Sequence, residues 1–122
     1  MARSKISKEL RQKVFDKYQG CCAYCGYEFE DMKEMQVDHL NPVYLNGEDN
    51  SIENLMPACR MCNFYKSTYT LEKFREQLGK ILNRLSDQFI FRLAHRYNLV
   101  EVKPYKIPVQ FYFEWLRDEL GE

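Results

Sequence analysis

The sequence predicts an α+β fold in which a short hairpin is clamped between two pairs of cysteines, with one helix ahead of it and a mainly helical extension behind. Three observations predict this. Cys22-Ala-Tyr-Cys25 and Cys59-Arg-Met-Cys62 are Cys-x-x-Cys turns with 33 residues between Cys25 and Cys59. Apolar residues recur at helical spacing on both sides: Leu10, Val14 and Tyr18 before the first pair, and Leu71, Phe74, Leu78, Ile81, Leu82, Leu85 and Phe89 after the second. Between the pairs, residues 36–45 set Val37, Leu40, Val43 and Leu45 around a His-Leu-Asn-Pro step, the pattern of two short extended pieces limited by Pro42.

The elements follow in order. Ser7 caps the first helix and Gly20 stops it just before the cysteines. Its Lys8, Arg11 and Lys13 form a charged face, either solvated or turned towards phosphates. Asn46-Gly47-Glu48-Asp49-Asn50 is a loop, and Ser51 caps a brief helical turn through Asn54. A second short helix is expected to begin at or just after Cys62, and one amphipathic helix to run from Thr70 to Phe89 and supply core. The remainder carries Pro104 and Pro108 and ends in a helix around Phe111 to Leu120, whose aromatics Phe111, Tyr112, Phe113 and Trp115 are expected to pack in the core rather than dock a partner.

A length of 122 residues suits a single domain, 1–122, with a compact core at about 20–68 and the helical extension at about 70–122. A hydrophobic fraction of 45% and an aromatic fraction of 15% are enough to build a core, so disorder is not expected beyond the first few residues. No apolar run approaches membrane-spanning length, and Met1 to Leu10 lacks the apolar stretch of a signal peptide, so the cytoplasm is the expected address. The net charge of zero excludes whole-chain basicity, but charge is polarised along the chain. Residues 1–20 hold six Lys/Arg and two Asp/Glu, and residues 28–38 hold one Lys and five acids.

In a reducing compartment the five cysteines are poor disulfide candidates, and two close pairs point to metal. A two-residue spacing lets both sulfurs of each turn face a tetrahedral Zn²⁺ at about 2.3 Å. Four thiolates from Cys22, Cys25, Cys59 and Cys62 close the shell, so the zinc is structural. A redox Cys-x-x-Cys would need a βαβ pattern that the sequence lacks. Cys21 in place of Cys22 would lengthen the first turn to three intervening residues, so Cys21 is expected to be a free, packed thiol.

Val37-Asp38-His39-Leu40-Asn41-Pro42, Ser51-Ile52-Glu53-Asn54-Leu55 and Cys62-Asn63-Phe64-Tyr65-Lys66 occur in that order around the cysteine pairs. Together they resemble the HNH endonucleases, or ββα-metal nucleases, in the zinc-stapled form, over about residues 20–68. Cleaving a phosphodiester needs an activated water, charge neutralisation and a stabilised leaving oxygen. His39 suits the first task, since an imidazole with its usual pKa of about 6.5 is a neutral base at neutral pH.

The resemblance implies that Asp38 and Asn63 each give one oxygen to a single Mg²⁺ or Mn²⁺, and that Asn54 bonds backbone across the loop to hold His39. Many family members have a second histidine where this chain has Asn63, and asparagine favours an oxygen-liking ion. Lys66, three residues beyond Asn63, and Arg60 either reach phosphates beside the scissile bond or are exposed solubilising cations. His95 receives no role.

The implied activity is hydrolysis of DNA, double-stranded in expectation, leaving 5′-phosphate ends. A homodimer or a partner protein that sets the target is the further alternative, and no membrane is expected to be involved. The competing expectation is a non-catalytic zinc-ribbon module that binds nucleic acid or protein, which the neutral net charge favours.

Overall fold

The computed structural model describes residues 6–42 and 48–120. Helix α1 (Lys8–Lys17) starts where Ser7 Oγ accepts the amide of Leu10 at 3.1 Å. It ends where Gly20, at φ +79°, returns its amide to Phe15 O at 3.0 Å. A Cβ at Gly20 would meet the Phe15 ring at 3.1 Å, so glycine serves both the left-handed turn and the close packing. Lys17 reaches out of α1 to the carbonyls of Ile52 at 2.7 Å and Leu55 at 3.1 Å, tying the helix to the chain ahead of the second strand. Arg11 donates to Met32 O and Met35 O, so of the three cations expected on the charged face of this helix, Lys8, Arg11 and Lys13, it is committed to the fold rather than to a phosphate.

The sheet has two antiparallel strands, β1 (Gln36–His39) and β2 (Leu55–Ala58), with Val37 opposite Pro57 and His39 opposite Leu55. The first extended piece expected within 36–45 is β1, and its partner in this sheet comes from beyond the loop. The second expected piece, with Val43 and Leu45, lies outside the described residues, as do Asn46 and Gly47. β2 escaped notice because all four of its residues are buried and so show no alternation, and because Pro57 sits inside it. A proline is tolerated there because its carbonyl accepts the Ala23 amide at 2.8 Å, so its backbone faces away from β1 and the missing N–H costs the ladder no bond. That bond joins the first cysteine turn to the sheet.

Helix α2 (Arg60–Lys66) begins two residues earlier than expected, with Cys59 as its cap. The stretch expected as one helix from Thr70 to Phe89 is broken twice, into α3 (Leu71–Gly79), α4 (Ile81–Ser86) and the start of α5 (Phe89–Arg96). Gly79 and the half-wound Lys80 (φ −95°, ψ −4°) end α3. Ser86 Oγ bonds back to Leu82 O at 2.8 Å and Gln88 turns extended, ending α4. The core contribution expected of this stretch is also confined to α3: Phe74 is buried, while Leu85 and Phe89 are exposed.

Helix α6 (Tyr112–Glu119) brings the chain back to the first cysteine turn, where Tyr112 N and Phe113 N donate to Tyr24 O and Ala23 O at 3.0 and 2.9 Å. Phe111 stacks on Phe74 at 5.2 Å and meets Tyr24 edge-on at 5.5 Å, so it joins the core as expected, whereas Trp115 stays exposed. Arg75 clamps this return, donating to Glu114 Oε1 and Oε2 at 2.7 Å each and to Val109 O at 2.6 Å over the Phe111 ring. Among the described residues no helix is long and apolar enough to cross a membrane.

Candidate active site and metal centres

The four expected thiols converge. One ligand sulfur each from Cys22, Cys25, Cys59 and Cys62 lies within 4.8 Å of the others, and Cys25 Sγ and Cys59 Sγ are 3.7 Å apart. Sulfurs about 2.3 Å from a tetrahedral zinc stand about 3.8 Å apart, so the cage has the dimension of the ion. Local structure aims the sulfurs. Gly26, at φ +83°, folds the first turn so that its amide bonds Cys22 O at 3.0 Å, and Cys59 Sγ accepts the Cys62 amide at 3.4 Å.

The electrostatics also ask for a cation. Hydrogen bonds from Cys25 and Cys62 pull the Cys22 thiol down to about 2. The bond to Cys22 pushes Cys25 up to about 11, and the same partner raises Cys62. With the sulfurs alone, a thiolate at Cys22 is therefore held against the protons of Cys25 and Cys62, and a divalent ion is what lets thiolates share one cage. Cys21 stands outside the cage, in a bridge with Glu28.

A second site lies at the His39 end of β1. Asp38, His39 and Asn63 border one cleft of about 360 Å³, together with Val37, Pro42, Phe64, Ser67 and Thr68. Neighbouring strand residues point to opposite faces, yet Asp38 and His39 share this cleft because β1 ends at His39. Asp38 is 6% exposed, and its Oδ2 accepts the Tyr24 hydroxyl at 2.6 Å and Lys66 Nζ at 2.9 Å. Burial, reinforced by the Asp38 charge, pushes the Tyr24 hydroxyl up, which keeps its proton in that bond. Asn63 Nδ2 donates to Gln36 Oε1 at 2.5 Å. Each residue thus keeps one oxygen, Oδ1, outside these bonds. Two hard oxygen donors beside open volume fit Mg²⁺ or Mn²⁺, which fill the rest of their shell with water and phosphate.

Lys66 departs from both sequence readings. It is neither exposed nor free for phosphate: its side chain is fully buried, bonded to Asp38 and to His39 O at 3.0 Å. A buried ammonium needs a counter-charge, and the carboxylate beneath the cleft supplies it. Arg60 is exposed, but it lines a different pocket, beside Cys59 and Cys62, and does not border the Asp38 cleft. Asn54 is buried and spans the loop, its Oδ1 accepting Asn41 N at 2.8 Å and its Nδ2 donating to Asp49 O at 2.8 Å. Its own carbonyl accepts the Leu40 amide at 2.8 Å, one residue from His39.

Sequence reasoning missed three participants. Tyr24 reads in the sequence as a spacer between cysteines. Gln36 carries no motif. Asn50, whose Oδ1 lies 2.8 Å from His39 Nε2, sat in a run of loop formers that reads as a turn. Phe64 is 84% exposed at the cleft, a large apolar side chain held out where a ligand would pass. His95 is exposed on α5, away from the Asp38 cleft.

Two strands and a helix on a four-cysteine cage, with an Asp-His step ending the first strand and an asparagine on the helix, define the ββα-metal class. The family comparison agrees: residues 22–68, less than half of the chain, match the family model described as HNH endonuclease. The chain is also similar to the SPbeta prophage-derived putative HNH endonuclease YoqL of Bacillus subtilis (strain 168). The two are 34% identical over 76 residues, covering 57% of this chain and 33% of the relative. The chain thus spans about a third of the length of that curated relative.

Proposed function

We propose that this protein hydrolyses DNA phosphodiester bonds with the aid of one divalent ion at Asp38 and Asn63 and with His39 as general base. The observation that carries the reading is the convergence of Asp38, His39 and Asn63 on one open cleft in the segment that matches the HNH family model. Asp38 and Asn63 would hold the ion, and Tyr24, Lys66 and Gln36 fix these donor side chains. When bound, Mg²⁺ or Mn²⁺ supplies Lewis-acid stabilisation of charge building on the phosphate and on the leaving oxygen.

His39 takes a proton from water, whose oxygen forms the new bond to phosphorus as the bond to the 3′ oxygen breaks. The leaving oxygen gains a proton from solvent, giving 3′-hydroxyl and 5′-phosphate ends. Because Lys66 already offsets the Asp38 charge, the cleft alone attracts a cation weakly, and the substrate phosphate supplies the missing negative charge. Ion and DNA therefore bind together. Asn54 is positional, pinning the two ends of the loop that follows His39.

Neutral net charge is the feature that favours the rival reading, a zinc module that binds without cutting. A plasmid assay separates the two. With Mg²⁺ or Mn²⁺ the wild type nicks or linearises supercoiled DNA and leaves 5′-phosphate ends, chelation stops it, and His39→Ala abolishes it. Cleavage undiminished in His39→Ala removes His39 from the mechanism, and binding without cleavage in every metal favours the module.

A further inference from the structure

Asn50 lies outside the residues to which motif or family assigns work, yet its side chain contacts the ring of His39. His39 Nε2 and Asn50 Oδ1 are 2.8 Å apart, and Asn50 Nδ2 is 3.1 Å from Glu48 Oε1. The second contact orients the first. An ionised carboxylate oxygen can only accept, so the amide edge facing Glu48 is the NH₂ and the edge facing His39 is the oxygen. That oxygen also only accepts, so Nε2 must carry the proton, and the neutral ring keeps its lone pair on Nδ1.

The segment holding Asn50 is itself pinned. Ser51 N donates to Asp49 Oδ1 at 3.0 Å, and the buried Asn54 holds Asp49 O at 2.8 Å.

We propose that Asn50, aligned by Glu48, is the positioning residue that locks His39 as the Nε2–H tautomer and leaves Nδ1 as the basic nitrogen. This rests on the reading of His39 as general base. In the step itself a water O–H bond breaks towards Nδ1 while the water oxygen bonds phosphorus and the bond to the 3′ oxygen breaks. The ring becomes an imidazolium whose Nε2–H still donates to Asn50 Oδ1. The same hydrogen bond serves both charge states, so the ring gains its proton without turning.

The test compares two near-isosteric variants in the full, zinc-loaded chain. Asn50→Leu removes the acceptor, and Asn50→Asp keeps an oxygen in its place. With only two histidines in the chain, ¹⁵N spectra of the rings above the imidazole titration range assign His39 by comparison with a His95→Gln sample. The expected wild-type spectrum has His39 Nε2 protonated and Nδ1 bare. In Asn50→Leu the two nitrogens move towards averaged shifts, and kcat for plasmid nicking falls about 10- to 100-fold with KM changed less than about twofold. Asn50→Asp restores the wild-type ring pattern. A wild-type ring protonated on Nδ1, or ring signals or kcat unchanged in Asn50→Leu, overturns the proposal. The spectra need no activity, so a protein that never cuts DNA defeats the general-base reading while the tautomer result still decides the role of Asn50.

Discussion

Replacing Lys66 with methionine should be among the most destabilising single changes in the chain. Lys66 is fully buried, and its only described hydrogen-bonding partners are Asp38 Oδ2 at 2.9 Å and His39 O at 3.0 Å. Methionine fills a similar volume but leaves a carboxylate only 6% exposed with the Tyr24 hydroxyl as its remaining donor. Removing one partner of a buried pair costs about 3–5 kcal/mol, because the other charge is stranded rather than because the pair was strong.

An unfolding entropy of about 2.1 cal/mol/K per residue over 122 residues is about 0.26 kcal/mol/K, so the loss corresponds to a Tm lower by about 12–20 °C. Calorimetry or far-UV circular dichroism at saturating zinc reads this directly. The double change Lys66→Met with Asp38→Asn should recover most of the loss, since the stranded charge is gone. A Tm drop under about 4 °C in Lys66→Met, equivalent to less than about 1 kcal/mol, would refute the pairing, as would a double variant no more stable than the single one.

Two other perturbations probe the frame. A strong chelator that strips zinc, or Cys25→Ser, should unfold the segment from Cys22 to Lys66, because structural zinc contributes binding energy comparable to a domain's whole stability; metal-free protein with an unchanged Tm contradicts this. The Arg75 guanidinium holds Glu114 below the usual carboxylate range, so its contribution is present above the unfolded pKa of about 4.3 and is lost as pH falls through the depressed folded value. Glu114→Gln should therefore cost about 1–2 kcal/mol at pH 7, after allowance for solvent screening, and progressively less as pH falls below the usual carboxylate range; a loss that does not shrink as the carboxyl protonates rules out the ion pair as the cause.

What the sequence made legible was local. Ser7, Leu10, Val14 and Gly20 define α1 through contacts within a few residues, and the Cys-x-x-Cys spacing encodes the sulfur geometry within each turn. The long-range relations were not legible. Lys66 looks like any helix cation until Asp38, far back along the chain, is placed under it. β2 lacks alternation because both of its faces are covered, and the proline within it reads as a stop. The periodicity from Leu71 to Phe89 passes through Gly79 and Ser86 without a gap in its apolar pattern, so the breaks depend on backbone and side-chain bonds that spacing does not record. Asn50 falls between the two: its loop was expected, but its contact with His39 exists only once β1 and the segment before β2 are brought together.

The account turns on a single ion lying between Asp38 and Asn63, next to His39. Titrating Mn²⁺ into zinc-loaded, ¹⁵N-histidine-labelled protein with DNA present tests this directly, because a bound paramagnetic ion broadens nearby nuclei far more than distant ones. The His39 ring signals should vanish at Mn²⁺ concentrations that leave the exposed His95 sharp, and Asp38→Ala with Asn63→Ala should abolish the difference. Equal broadening of both histidines, or a His39 signal untouched at millimolar Mn²⁺ with DNA present, contradicts it.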